Sequence, residues 1–269
     1  MPSDTKTILI TGASTGIGAA VAQHFVDQGW NVAGSMRSPE KAGSWAEADN
    51  AFAPKLDVTD RGSIEEGVEA TLARYGQIDV LFNNAGVSAA GPVEGATAEE
   101  IENIFNVNLT AVVHTTKAVL PAMRSRSSGL IMTTSSVSGL IPSPGTALYA
   151  ASKFGVEGLM EAWRYELSIH GIRVKLIEPG PIKTEMLTEN EPSKHDAYVA
   201  IQGSGDKVLR RLQKIMIPAE KAADLIYQAA TDPSDRLRYL INPPGPVVAL
   251  RKWLPSPLWK RVMMRMMTP

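Results

Sequence analysis

Tyr149-Ala150-Ala151-Ser152-Lys153 sets a phenol and an ammonium four residues apart, and on an α-helix that spacing puts both on one face. A free phenol, with a pKa of about 10, is a poor acid–base catalyst near neutrality; a cation beside it stabilises the phenolate, and Lys153 can supply that field. Taken alone the pair is weak, because Tyr-x-x-x-Lys arises by chance in many helices and is more often structural than catalytic. Thirteen residues upstream, Thr133-Thr134-Ser135-Ser136 closes an apolar run. A hydroxyl at Ser136 can orient a carbonyl oxygen, although turn formation at a strand end is the usual role of such serines.

A second constellation points to phosphate. Thr11-Gly12-Ala13-Ser14-Thr15-Gly16-Ile17-Gly18 directly follows the first apolar run and opens a stretch with helical apolar spacing. Glycines let the backbone turn sharply and approach a pyrophosphate, while a helix N-terminus aims unpaired N–H groups at the negative charge. The Gly-x-x-x-Gly-x-Gly spacing departs from the Gly-x-Gly-x-x-Gly dinucleotide fingerprint, and a plain turn is the competing account. At the end of the next apolar run, Ser35-Met36-Arg37-Ser38 has Met36 where an NAD site would carry an acid for the ribose 2′-hydroxyl. Arg37 beside it offers a fork of donors suited to a 2′-phosphate, which favours NADP(H) over NAD(H); a solvated loop charge is the rival account.

These residues need elements to hold them. Short apolar runs rich in Val, Ile, Leu or Thr alternate with longer helical stretches, the pattern of repeated βαβ units. Strands are predicted at Thr7–Thr11, Asn31–Ser35, Ala51–Leu56, Val80–Asn83, Leu130–Ser135, Arg173–Ile177 and Arg238–Ile241. Helices are predicted at Ile17–Gln28, Ser63–Tyr75, Ala98–Met123, Tyr149–His170 and Ala219–Ala230, with Pro121 marking the end of the third. The expected fold is one α/β domain, a doubly wound parallel sheet of about seven strands with helices on both faces. Its strand C-termini would share the edge at which open α/β sheets bind ligands, and the motifs fall at that edge. Residues 185–217, with Glu189-Asn190-Glu191-Pro192 and Gly203-Ser204-Gly205, break the repeat and are expected to form a substrate lid; 243–269 is a C-terminal extension.

The bulk composition narrows the classes. With 44% hydrophobic and 20% charged residues over 269 positions, the chain is neither collagenous, disordered nor a multi-span membrane protein. A formal net charge of −1 gives no global pull toward nucleic acid. Cysteine is absent, which removes thiolate chemistry and disulfides, and the histidines at 24, 114, 170 and 195 lack ligand spacing, so no metal site is expected. Met1 to Lys6 is short and polar, nothing in it directs export, and a cytoplasmic protein is expected.

Five elements in order and spacing resemble the short-chain dehydrogenase/reductase family: the loop at 11–18, Leu56-Asp57-Val58, Asn83-Asn84-Ala85-Gly86, a serine ahead of Tyr-x-x-x-Lys, and Pro179-Gly180-Pro181-Ile182-Lys183-Thr184. The likeness spans roughly residues 6–190 and is weaker, but present, to the hydroxysteroid and retinol dehydrogenase-like branch, notably in the extended tail. It implies a Rossmann-type fold and hydride transfer between NADP(H) and a carbonyl or alcohol. Tyr149 would be the proton donor, Ser136 the hydrogen-bonding partner of the reacting oxygen, and Lys153 a cation that lowers the tyrosine pKa and binds the nicotinamide ribose. Asn108 matches the asparagine that holds a water in a proton relay to Lys153; a buried asparagine satisfying a backbone carbonyl is the compatible structural account.

The same resemblance implies cofactor contacts at Gly12, Ser14, Thr15, Gly16, Ile17 and Gly18, with Asp57 and Val58 at the adenine, and Asn84, Ala85 and Gly86 beneath the adenosine ribose. Pro179, Gly180, Ile182 and Thr184 would lie along the nicotinamide and the nearby phosphate. Thr15 stands at one of two positions often basic in NADP-using members, which keeps NAD in play. Leu140, Ile141, Pro142, Pro144 and Leu148, with Met186, Leu187 and Tyr198, imply an apolar pocket and hence a hydrophobic ketone, aldehyde or secondary alcohol. The Trp-, Met- and cation-rich tail from Arg251 is expected to cover the substrate mouth or a neighbouring subunit of a homodimer or homotetramer, in preference to resting on a membrane. A non-catalytic NADP-binding regulator is the alternative, and an intact Asn108, Ser136, Tyr149 and Lys153 speaks against it.

Overall fold

The computed structural model describes residues 5–187, 192–199, 210–243, 245 and 247–267. Seven strands form one parallel sheet: β1 (Thr7–Thr11), β2 (Asn31–Ser35), β3 (Ala51–Phe52), β4 (Val80–Asn83), β5 (Gly129–Thr134), β6 (Ile172–Pro179) and β7 (Arg238–Ile241), in the order β3-β2-β1-β4-β5-β6-β7. The helices that position the site are α1 (Gly16–Asp27), α2 (Arg61–Tyr75), α3 (Ala98–Phe105), α4 (Ala111–Ser125), α5 (Ala147–Ser168) and α6 (Ala219–Thr231). Two further helices, α7 (Val247–Trp253) and α8 (Ser256–Met267), make up the tail.

Strands buried on both faces read as near-continuous apolar runs, and their alternation divides the core in two. Ile8 and Ile10 of β1 join Leu130 and Met132 of β5 on the face covered by α1 and α6. Leu9 and Ile131 point the other way, into the core formed with α2, α4 and α5. The strand order reverses between β1 and β4, and a crevice at that switch point is where an open sheet of this kind takes a ligand. The doubly wound architecture expected from the sequence is the one observed.

Two boundaries differ from expectation. The third strand ends at Phe52, with only a lone bridge from Lys55 to Met36 beyond it, because Pro54 has no N–H to give the ladder. The predicted helix Ala98–Met123 is broken by a π-turn at Asn106–Thr110, in which the Ala111 N–H reaches back to the Asn106 carbonyl. It then runs through Pro121 to Ser125. Proline in a helix interior costs about 3 kcal/mol, but Val119 and Met123 on either side are fully buried, and each such side chain returns about 1.5–3 kcal/mol. Apolar spacing persists across the π-turn, so periodicity alone does not reveal it.

Of the expected lid, residues 188–191 and 200–209, including Glu189-Asn190-Glu191 and Gly203-Ser204-Gly205, lie outside the described residues. The tail is helical on both sides of Pro255; Trp259 is buried beneath the Arg251 guanidinium, whereas Trp253 is 86% exposed. Among the described residues no helix is long and apolar enough to cross a membrane.

Candidate active site

The turn from β1 into α1 is built for close approach. Gly12 adopts φ +70°, and a Cβ there would lie 2.8 Å from the Ala85 Cα; a Cβ on Gly18 would meet the Gly12 carbonyl oxygen at 2.1 Å. Thr15 stands at the N-cap of α1 but its side chain makes no capping bond, and the first turn holds no acid. The opening amides of the helix are therefore left for an outside anion, which suits a pyrophosphate. Ser14 and Thr15 edge the cradle, Ile17 packs against the core, and the Thr184 methyl sits 3.2 Å from where a Cβ of Gly16 would be, so the 179–184 loop closes on the cradle from the far side.

At the other end Met36 is buried and Arg37 exposed at the close of β2. The Asp57 carboxylate accepts from the Thr59 amide at 2.9 Å and its hydroxyl at 2.7 Å. Burial works against the Asp57 charge, but those hydrogen bonds and nearby Arg37 together hold its carboxyl below the usual range. Val58 follows, half-buried. Between the two ends the Thr11 hydroxyl accepts from the amides of Asn84 and Ala85 at 3.0 and 3.1 Å, while the Asn84 side chain donates to the Thr11 and Gly12 carbonyls at 3.2 Å each. Loop and β4 terminus are thereby locked together, and Gly86 is brought beside Asn108 and Lys153.

The candidate acid–base residues converge at the C-terminal ends of β4 and β5. Lys153 is 4% exposed, and its ammonium donates to the Thr134 carbonyl at 2.8 Å, 5.8 Å from the Tyr149 ring centre. Burial lowers its pKa to about 8, with Glu157 working in the opposite sense. Ser136 caps a short turn by accepting from the Ser138 amide at 3.1 Å. Tyr149 departs from expectation: burial raises the phenol pKa, and the moderating influence comes from the Ser136 hydroxyl, not from Lys153. The Lys153 ammonium donates to the Thr134 carbonyl.

Asn108 sits in the π-turn, buried. Its side-chain oxygen accepts from the Val87 amide at 2.8 Å and its nitrogen donates to the Val87 carbonyl at 2.9 Å and to the Ser152 hydroxyl at 3.1 Å. The side chain therefore fixes the loop after β4 against α5, which is the structural account. Across the site the Gly180 amide donates to Ile241 at 2.7 Å, Ile182 is buried against Ile217, and the Asn242 side chain donates to the Pro181 and Ile215 carbonyls at 2.8 Å each.

A profile of the short chain dehydrogenase family matches residues 6–195. The chain belongs to the short-chain dehydrogenase family. It is similar, at 34% identity over 87% of each chain, to an NADPH-dependent 3-dehydrocapnine reductase of Ornithobacterium rhinotracheale. It is 32% identical to bovine retinol dehydrogenase 8, over 90% of this chain and 78% of the other, in keeping with the retinol dehydrogenase-like branch. A solved short-chain dehydrogenase from Streptomyces avermitilis superposes with a TM-score of 0.83 at 32% identity, covering 97% of this chain and 98% of its own.

In this short-chain dehydrogenase the cavity beside the site, about 150 Å³, is not walled as the sequence suggested. Among the residues expected to line it only Leu148 does so; Val87, Ala90, Pro92 and Ile104 form most of the apolar wall, and Ser88, Glu100, Asn103 and Ser193 make the rest polar. Residues 192–199 dock on the loop after β4: the Ser193 amide donates to Ala90 at 2.9 Å, and His195 lies 3.7 Å from the Glu94 carboxylate. Sequence reading also passed over Thr11, Ser152 and Asn242 as structural supports. Thr11 lay inside a recognised motif, but Asn242, with φ +50°, carries no local signal for the loop it braces.

Proposed function

We propose that this oxidoreductase transfers a hydride between NADP(H) and a hydrophobic ketone, aldehyde or secondary alcohol. The observation that carries the reading is the buried Lys153 ammonium held beside Tyr149 and Ser136, where a phenol, a hydroxyl and a cation can share one substrate oxygen. The glycine cradle fits a dinucleotide pyrophosphate, since its close contacts leave no room for Cβ atoms. The Thr11–Asn84–Ala85 knot and the 179–184 loop would hold the remainder of the cofactor, and Arg37 would meet a 2′-phosphate. Bound there, the reduced nicotinamide supplies the hydride.

In reduction Tyr149 donates the proton to the carbonyl oxygen. Its raised pKa keeps that proton in place until it is needed. Ser136 orients the same oxygen, and Lys153 provides positive charge as the oxygen becomes an alcohol. Asn108 acts by holding the Val87 loop. Oxidation follows the same path in reverse.

Support for a hydrophobic substrate comes from Val87, Pro92, Ile104 and Leu148, which share the cavity wall with the polar Ser88, Glu100, Asn103 and Ser193; the 185–217 excursion would be its lid. A homodimer or homotetramer in the cytoplasm belongs to the same reading; Phe154 and Tyr165 of α5 and Ile169 just beyond its end present apolar surface that a second subunit would cover.

The test is initial-rate oxidation of NADPH and NADH over a panel of apolar ketones and aldehydes, with Tyr149→Phe alongside. NADPH-dependent turnover that disappears in the variant is expected. Tight NADPH binding without turnover in either direction would instead favour the regulatory alternative.

A further inference from the structure

We propose that Glu157 and Arg238 are positioning residues that hold the Lys153 ammonium charged from one helical turn below the candidate site. Glu157 follows Lys153 by four residues on α5, with its side chain 7% exposed. One of its oxygens lies 2.9 Å from Nη2 of Arg238, the first residue of β7. The same guanidinium reaches Glu178 of β6 at 3.2 Å through Nε, and Glu161, a turn further along α5, at 3.5 Å. Glu178 is wholly buried and immediately precedes Pro179, whereas Glu161 is 54% exposed.

One guanidinium thus serves three carboxylates on two elements. A carboxylate is buried at heavy cost unless cations compensate it, and Arg238 is divided among its partners. Lys153, four residues earlier on α5, is a second cation on the same helix face as Glu157. Glu157 packs against the Lys153 backbone: a Cβ on Gly139 would lie 2.7 Å from the Ser135 hydroxyl, 3.2 Å from Cγ of Glu157 and 3.2 Å from the Lys153 main-chain carbonyl. Around the ammonium, α5 contributes Tyr149 and Glu157, and β5 contributes the uncharged Thr134 carbonyl. Around Glu157 stand Arg238 from β7, Glu161 from α5 and Ser135 just after β5, with Glu178 of β6 sharing the guanidinium.

The electrostatics agree with the geometry. Burial pulls the Lys153 pKa down and Glu157 raises it; burial raises the Glu157 pKa, and Ser135 and Arg238 pull it back. Arg238 therefore favours the ionised form of Glu157, and Glu157 the protonated form of Lys153. Because Arg238 also grips Glu178, the helix carrying Tyr149 is fastened to the strand that leads into the 179–184 loop.

The role of Lys153 as an active-site cation rests on the function proposed above, so the test reads the ammonium itself. The ε-carbon of Lys153 is titrated by NMR in full-length protein labelled with 13C-lysine, its signal assigned by its loss in Lys153→Arg. In Glu157→Gln the midpoint is expected to fall by about one pH unit. Where the enzyme turns over, the alkaline limb of kcat/KM should fall with it. Glu161→Gln, which removes a carboxylate from the same guanidinium but not from Lys153, should leave both unmoved. A folded Glu157→Gln whose Lys153 midpoint stays put would overturn the inference. If that variant does not fold, Glu157→Asp, with the charge on a shorter arm, is expected to give a smaller downward shift, and an unshifted midpoint again overturns it. A chain that reduces nothing would remove the proposed function without altering this titration.

Discussion

The Lys153 ammonium donates to the main-chain carbonyl of Thr134 at 2.8 Å, which ties the candidate catalytic helix to the end of the central strand β5. A cation fastened to backbone keeps its place whether or not Tyr149 moves. Burial sets its pKa at about 8, below the ordinary lysine value of 10.5.

That value fixes a pH dependence. Lys153 is charged below about pH 8 and loses its charge as pH rises through that value, so kcat/KM for carbonyl reduction is expected to decline across a single ionisation near pH 8. Folding stability has the opposite sign. Between about 8 and 10.5 the unfolded chain binds the extra proton, so the contribution of this group to stability rises with pH through that window and is lost as pH falls through 8. A kcat/KM profile that is flat from neutral to strongly alkaline pH would remove Lys153 from the reaction.

Gly12→Ala places a methyl 2.8 Å from the Ala85 Cα and forces alanine to φ +70°. The left-handed conformation alone costs about 1–2 kcal/mol, and the backbone contact cannot be relieved by a rotamer change. We expect a loss of about 2 kcal/mol or more in denaturant unfolding, and at least tenfold weaker NADPH binding by fluorescence titration, as about 1.4 kcal/mol is a factor of ten. Unchanged affinity would show that the cradle does not hold the dinucleotide.

Arg37→Ala tests the choice of cofactor. A charge-assisted hydrogen bond is worth about 1.5–3 kcal/mol, so KM for NADPH should rise roughly 10- to 100-fold while KM for NADH stays within a factor of two or so. Equal losses with both cofactors would mean that Arg37 does not discriminate between them.

Asn108→Ala strips partners from the Val87 amide, the Val87 carbonyl and the Ser152 hydroxyl at once. Orphaned groups cost about 1–3 kcal/mol each where water cannot replace the bond, so a destabilisation of about 2–4 kcal/mol is expected. Because the Val87 loop walls the cavity, KM for substrate should rise along with any fall in kcat. A variant of native stability with kcat alone reduced would assign Asn108 to proton movement instead.

Much of this protein was written locally. The Gly12–Gly18 loop, the Tyr149–Lys153 spacing and the two-residue alternation of β1 and β5 are patterns of near neighbours, and near neighbours share a face whatever the rest of the chain does. From these the doubly wound sheet and the family followed without coordinates, and Ser136, Tyr149 and Lys153 could be named as candidates for the site. What tertiary structure decided lay in partners far apart in sequence and in burial. The pairing of Asn108 with Val87, the bracing of Pro181 by Asn242 and the grip of Arg238 on Glu157 and Glu178 depend on which strands and helices become adjacent. The cavity wall moved to residues 87–104 because the loop after β4 folds over the site, and the phenol of Tyr149 was raised, not lowered, because desolvation is summed over every element packed around it. Periodicity is a property of a segment; contact order and desolvation belong to the whole folded chain.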